Sequence, residues 1–405
     1  MRSQSAHLKG RPSEAEHALE WLFETKSGAS TESETSHVAA ESIYEWLATE
    51  DQGPRPDIAT PFADKIYGPQ LVRDDDRSKD LIQAIAGVKK TLSAKDRDRL
   101  DKVAFTIIKL GTGLDPVPYA GEKEEQMYFS ASLLKLTLIF ASFEMVARVN
   151  KLATHLLPGG KPEEFFRNLQ LAFGDDIAVA IPWIPEGKWK TVKFDQVLTA
   201  TRGMSGVYKV KLNETHRKHL ETIVINQMQD WAARNCMHRL GYSYVNGALA
   251  AGGFLYDSTK GIWYGTDLGG GWEQVHVPVD TGGTSSAAMT TYEMARLLTA
   301  MHTGTLVDEQ SSQEMMKIIS RGGSWLSMTT NPKSVSFTAA GAKVGHHPSA
   351  DAKVSSVKSE GVFLNRNGVP FVAVWQNYPD NKPDVVSDVI HVYRVIDEVL
   401  KKWPA

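Results

Sequence analysis

The chain has 405 residues, 42% of them hydrophobic and 23% charged, which suits a folded globular protein with one large core. A net charge of −3 gives no basis for binding nucleic acid or an anionic membrane. The single cysteine, Cys236, excludes an internal disulfide and argues against a cysteine-based metal site. The first residues lack the apolar stretch of an export signal, and no run is long enough to span a bilayer, so a cytoplasmic location is expected.

Residues 1–60 read as a helical or partly disordered extension. Helical patterns over 14–26 and 36–50 each contain Glu-Trp-Leu and flank a Ser/Thr/Glu-rich linker, and Pro54, Pro56 and Pro61 follow. Residues 61–405 form the main domain. A charged helix is expected near 77–90, then a strand over 103–110 and a second strand candidate leading into Ser132. The apolar stretch 136–149 reads as a buried helix, and the proline-interrupted segment 155–215 as an insertion in a mainly helical lobe spanning 135–300. Helices are expected at 215–240, 243–251, 291–302 and 311–320. Strands over 354–365 and 369–377 are joined at Asn367-Gly368, a hairpin signal, and an amphipathic helix over 384–402 ends the chain.

The chemistry concentrates at Ser130-Ala131-Ser132-Leu133-Leu134-Lys135. Ser132 and Lys135 form a Ser-x-x-Lys pair, and if Ser132 opens a helix both face one way. Burial lowers a lysine pKa, so an amine beside a hydroxyl can act as its base. Free N–H groups at a helix start can bind the oxyanion of acyl transfer. A second match, Ser355-Ser356-Val357-Lys358, lies in a strand-like stretch whose residues three apart face opposite ways.

The order of elements, together with Ser-x-x-Lys after the second strand, Thr290-Thr291-Tyr292-Glu293-Met294-Ala295 and the closing hairpin and helix, resembles the serine β-lactamase and penicillin-binding-protein superfamily, class A β-lactamases above all. The resemblance covers about residues 75–402. It implies an α/β (α+β) fold in which an antiparallel five-stranded sheet with flanking helices meets an all-helical lobe, the site lying between them. It makes Ser132 the nucleophile, with its N–H half of an oxyanion hole, and Lys135 the proton acceptor or relay. The family's Ser-Asp-Asn falls on Met228-Gln229-Asp230, so a methionine stands where the shuttling serine would be and Asp230 where the substrate-binding asparagine would be. Tyr244-Val245-Asn246 matches the alternative Tyr-x-Asn form, with Tyr244 as base in a turn after the helix. The Lys-Thr-Gly strand is matched by Lys343-Val344-Gly345, with Lys358-Ser359-Glu360 as a rival, and Glu273 after Trp272 resembles the deacylating glutamate.

These readings point to a serine hydrolase that forms an acyl-enzyme on Ser132 with a small-molecule amide or ester, without a cofactor or metal. A non-catalytic binding homologue, favoured by Met228, and an acyltransferase or transpeptidase are the competing classes. His216 with His219 and His346 with His347 lack a third metal ligand, and Gly269-Gly270-Gly271 lacks the Lys-Ser/Thr of a phosphate loop and reads as flexible. The oligomeric state is left open.

Overall fold

The computed structural model describes residues 66–111, 116–153, 161–185, 192–204, 207–226, 230–329, 331–347, 356–380 and 389–403. The extension over 1–60 lies outside the described residues.

The chain enters the described part through β1 (Leu71–Arg73), α1 (Asp75–Lys89) and α2 (Ala94–Asp101). Asp74 caps α1 by accepting the N–H groups of Asp76 and Arg77, and Ser93 caps α2 through Asp96 N–H. The strands β2 (Ala104–Lys109), β3 (Val117–Glu122) and β4 (Tyr128–Phe129) follow, and a 3₁₀ turn (Ala131–Lys135) runs straight into α3 (Leu136–Ala153). The helical lobe continues with α4 (Pro162–Val179), α5 (Phe194–Val197), the hairpin β5 (Leu198–Arg202) and β6 (Tyr208–Leu212), α6 (Glu214–Ile225), α7 (Trp231–Leu240) and α8 (Tyr242–Ala251). Short strands β7 (Leu255–Asp257), β8 (Lys260–Tyr264), β9 (Val277–Pro278), β10 (Thr284–Ser285) and β11 (Ala287–Met289) lead to α9 (Thr291–His302) and α10 (Glu309–Ile319). Long strands β12 (Thr338–His347), β13 (Ser356–Arg366) and β14 (Val369–Asp380) and the helix α11 (Ile390–Lys402) end it.

The main sheet has six strands in the order β1-β3-β2-β14-β13-β12. The five strands β3-β2-β14-β13-β12 form the expected antiparallel sheet, and β1 adds a sixth strand, parallel to β3. Three residues are too short to show an alternation in sequence, so nothing marked β1 in advance.

Alternation along the central strands separates two cores. Phe105 and Ile107 of β2, with Phe371, Ala373 and Trp375 of β14, pack with α1 and α11 through Leu81, Val88, Val392, Ile396 and Val399. Ile108, Val372 and Val374 point the other way, into the lobe core with Leu297 and Leu298 of α9 and Ile139 and Phe140 of α3. One expectation changes. The single helix over 215–240 is two, α6 and α7. The described parts of 155–215 also belong to the lobe core: Asn150 of α3 bonds both the N–H and the carbonyl of Val210, at 2.9 and 3.0 Å, and Leu198, Tyr208 and Leu212 are buried there.

Candidate active site

The turn that carries Ser132 is pinned from two strands. Ser130 donates its N–H to Ala287 of β11 at 3.1 Å, and its carbonyl accepts the Ser359 hydroxyl of β13 at 2.7 Å. Ala131 then adopts φ 51°, a left-handed conformation that costs an L-residue energy and that collects at functional sites. Ala131, Leu133 and Leu134 are buried, which anchors the turn, while Ser132 between them is only partly covered. In a 3₁₀ turn residues three apart are eclipsed, so Ser132 and Lys135 share one side.

Lys135 is wholly buried and donates to Asp230 Oδ1 at 2.5 Å, whereas the Asp230 side chain is about half exposed. The ion pair therefore lies at a boundary, cation inside and carboxylate toward solvent. Asp230 is the N-cap of α7, where an aspartate ordinarily accepts a first-turn N–H; here its side chain makes no such bond. The carboxylate serves Lys135 instead. Burial holds the Lys135 pKa below its usual value, opposed by the bond to and the charge of Asp230.

Lys343 lies on β12, the edge strand that packs over the same turn. Its neighbour one pleat on, Gly345, is so close that a Cβ there would stand 2.6 Å from the Ser130 carbonyl oxygen and 3.0 Å from the Leu133 nitrogen, which requires glycine. Lys343 is fully buried and donates to the Val344 carbonyl at 2.5 Å. Its pKa is pushed well down by burial and then by the Lys135 cation, with Asp230 opposing. Lys135, Asp230 and Lys343 thus form one electrostatic cluster. Lys358, paired with His346 on β13, belongs to the other face of the sheet, its amine 5.3 Å from the Trp325 ring.

Of the remaining sequence candidates, Tyr244 is placed in the lobe core. Tyr244 is inside α8, not in a turn, is 2% exposed, and donates to Glu144 of α3 at 2.6 Å. Burial and the Glu144 carboxylate raise its pKa far above the ordinary value, the reverse of what a base needs. Asn246 is likewise structural, bonding the main chain of Tyr242 and Tyr264. Tyr244-Val245-Asn246 is therefore a core lock, which corrects its reading as a catalytic motif. Glu273 is exposed, and its backbone carbonyl accepts the Tyr242 hydroxyl at 3.4 Å. Met228 and Gln229 lie outside the described residues.

Sequence reading also missed an ordered loop. Gly269, Gly270 and Gly271 wrap the buried Asp267 carboxylate with three N–H groups at 3.0–3.1 Å, and His238 bonds Asp267 at 3.0 Å while stacking on Trp272. A glycine run read as flexible is a nest around a carboxylate. The strained Ala131 had no signal in sequence, because alanine is not a residue expected at positive φ. His216 bonds the Ser142 hydroxyl at 2.9 Å in the lobe core. Among the described residues no group of three or more His, Cys, Asp or Glu side chains is placed to hold a metal ion. Nor is any helix among them long and apolar enough to cross a membrane.

Neither a protein-family model nor a curated protein sequence matches the chain. Solved structures do. PBP-A is 14% identical, with 83% of this chain and 99% of that one covered at a TM-score of 0.45. A class A β-lactamase from Bacteroides cellulosilyticus is 12% identical, with coverages of 80% and 98% and a TM-score of 0.46. A β-lactamase from Sphaerobacter thermophilus is 12% identical, with coverages of 80% and 96% and a TM-score of 0.42.

Proposed function

We propose that this protein is a serine hydrolase that opens amides or esters through an acyl-enzyme on Ser132. The observation that carries the reading is the buried Lys135 amine, on the Ser132 side of the turn, bonded to a carboxylate given up by the α7 cap. As an ammonium Lys135 has no lone pair for the Ser132 proton. Passing one proton along the 2.5 Å bond to Asp230 leaves a neutral amine and a carboxylic acid. The amine can then take the serine proton as the serine oxygen bonds to the acyl carbon. Penicillins are expected to be poor substrates, because methionine at 228 cannot relay a proton to the lactam nitrogen.

A binding homologue without turnover is the second reading, and one observation favours it: both lysines of the cluster are already covered. An acyltransferase would differ only in the acceptor that releases the acyl group. Intact-mass analysis after exposure to a fluorophosphonate, an activated ester and a penicillin separates these. The hydrolase reading expects adducts with the first two that disappear in Ser132→Ala, and turnover of the ester. No adduct with any probe would sink it, and a stable ester adduct without release would favour the binding homologue.

A further inference from the structure

Three basic side chains on α7 and around the Ser132 turn are already engaged: Lys135 with Asp230, Lys343 with the Val344 carbonyl, and His238 with Asp267. A fourth, Arg234, is not. It is partly exposed, its Nε is buried without a partner, and its guanidinium forms no hydrogen bond or ion pair with another described residue.

Two elements hold this arginine in place. Asp230, Arg234 and His238 follow one another at helical spacing on α7, the Asp230 carbonyl accepting the Arg234 N–H at 2.8 Å, so the three share a face. Helical side chains lean toward the N-terminus of their own helix, which carries the guanidinium toward Asp230. From the other side, a Cβ on Gly269 would stand 1.8 Å from Arg234 Nε and 2.0 Å from Cζ, so glycine is what lets the loop lie against the guanidinium. Asp267 holds that loop by accepting the Gly269 N–H at 3.1 Å. The loop leaves β8 after Tyr264, which pairs with Ala287, and the Ala287 carbonyl accepts the Ser130 N–H at 3.1 Å. Loop and helix therefore both begin beside the Ser132 turn, with Arg234 between them.

The two carboxylates of this region are taken, Asp230 by Lys135 and Asp267 by three N–H groups and His238. A guanidinium stays charged, and its planar fork matches a carboxylate through two parallel bonds. We propose that Arg234 is a carboxylate subsite of the Ser132 site, selecting esters or amides whose acyl group ends in a free carboxylate. One helical turn, about 5.4 Å, separates Arg234 from Asp230 along α7, so a dicarboxylic acyl group of a few carbons fits. The selectivity rests on the hydrolase reading; the anion contact does not.

The test compares the mono-p-nitrophenyl ester of glutaric acid with that of glutaramic acid, in which a neutral amide replaces the carboxylate. Wild type should favour the glutarate ester in kcat/KM by roughly ten- to hundredfold, as for a hydrogen bond to a charged group. Arg234→Gln should bring the two esters within about twofold of each other, and Arg234→Lys, which keeps the charge but not the fork, should fall between. If Arg234→Gln melts early, Gly269→Ala reads the same ratio, because its methyl group displaces the guanidinium without removing it. Equal rates for the two esters in wild type, or an unchanged preference in both variants, overturn the inference. Calorimetric titration with glutarate reads the contact without turnover. If wild type opens neither ester, the hydrolase reading fails, while glutarate binding that is lost in Arg234→Gln still supports the subsite and binding that is absent or unaltered overturns it.

Discussion

Two buried polar clusters lie back to back across the β12–β13 edge of the sheet, and they are built on opposite principles. On the lobe side, Lys135, Asp230 and Lys343 bring two amines and one carboxylate together beneath a partly exposed serine. On the other side, Glu360, opposite Val344 in the register, accepts from the Trp325 N–H at 2.9 Å, the Trp375 indole at 3.1 Å and the Tyr393 hydroxyl. The second cluster is closed and every Glu360 oxygen is satisfied, which is how a polar network specifies a core. The first spends a helix cap, strains Ala131 and leaves the Asp230 carboxylate half open. Those costs are characteristic of a site rather than of a scaffold.

The largest expected effect breaks the lobe-side cluster. Lys135→Met should cut ester turnover by about a hundred- to ten-thousandfold, roughly 3–5 kcal/mol of barrier, as for loss of a general base. Its stability should change little, because the buried cation is replaced by an apolar chain of similar length and Asp230 can be solvated where it stands. Ester kinetics and thermal melts on the same preparation check both halves. Wild-type turnover in this variant would mean that the cluster is not catalytic.

The mirror-image change acts on stability instead. Burial raises the Glu360 pKa, and hydrogen bonds from Tyr393, Ser324, Trp325 and Trp375 only partly oppose this. A carboxyl with a raised folded pKa contributes fully below its unfolded value, near about 4.3, and loses that contribution as pH rises through the folded value. Glu360→Gln keeps the volume but leaves fewer lone pairs for its donors, and should cost about 2–4 kcal/mol near the acidic end. The cost should shrink toward pH 8, where the wild type has lost its own advantage. Denaturant melts across that range would show it, with ester kinetics per folded molecule unchanged.

The same contrast explains what could be read from the sequence. The lobe-side strand and helix were legible because alternation and apolar runs are local: β13, β14, α9 and most of α3 fall close to where the residues predict them. Ser132, Lys135, Asp230 and Lys343 could be picked out by motif and order. Their grouping depends on contacts between β12, α7 and the 3₁₀ turn, more than 90 residues apart in the case of Lys135 and Asp230. Tyr244 was legible but misleading. Its spacing to Asn246 fits a catalytic motif, but the same spacing inside α8 points the tyrosine at Glu144 and the asparagine at β8.

Tyr244 therefore supplies the smallest and most discriminating prediction. Its hydroxyl donates to Glu144, which also holds Arg148 at 2.5 Å, so the bond helps to satisfy a buried carboxylate. Tyr244→Phe leaves that oxygen short of a donor but keeps the ion pair and the packing of the ring. The expected loss is about 1–2 kcal/mol of stability, in the range for a buried hydrogen bond to a charged acceptor. Ester turnover should stay within about twofold, far below the hundredfold floor for losing a base. A reversal, with Tyr244→Phe silencing turnover at full stability, would restore Tyr244 as the base and shift the reaction's proton path from Asp230 to α8.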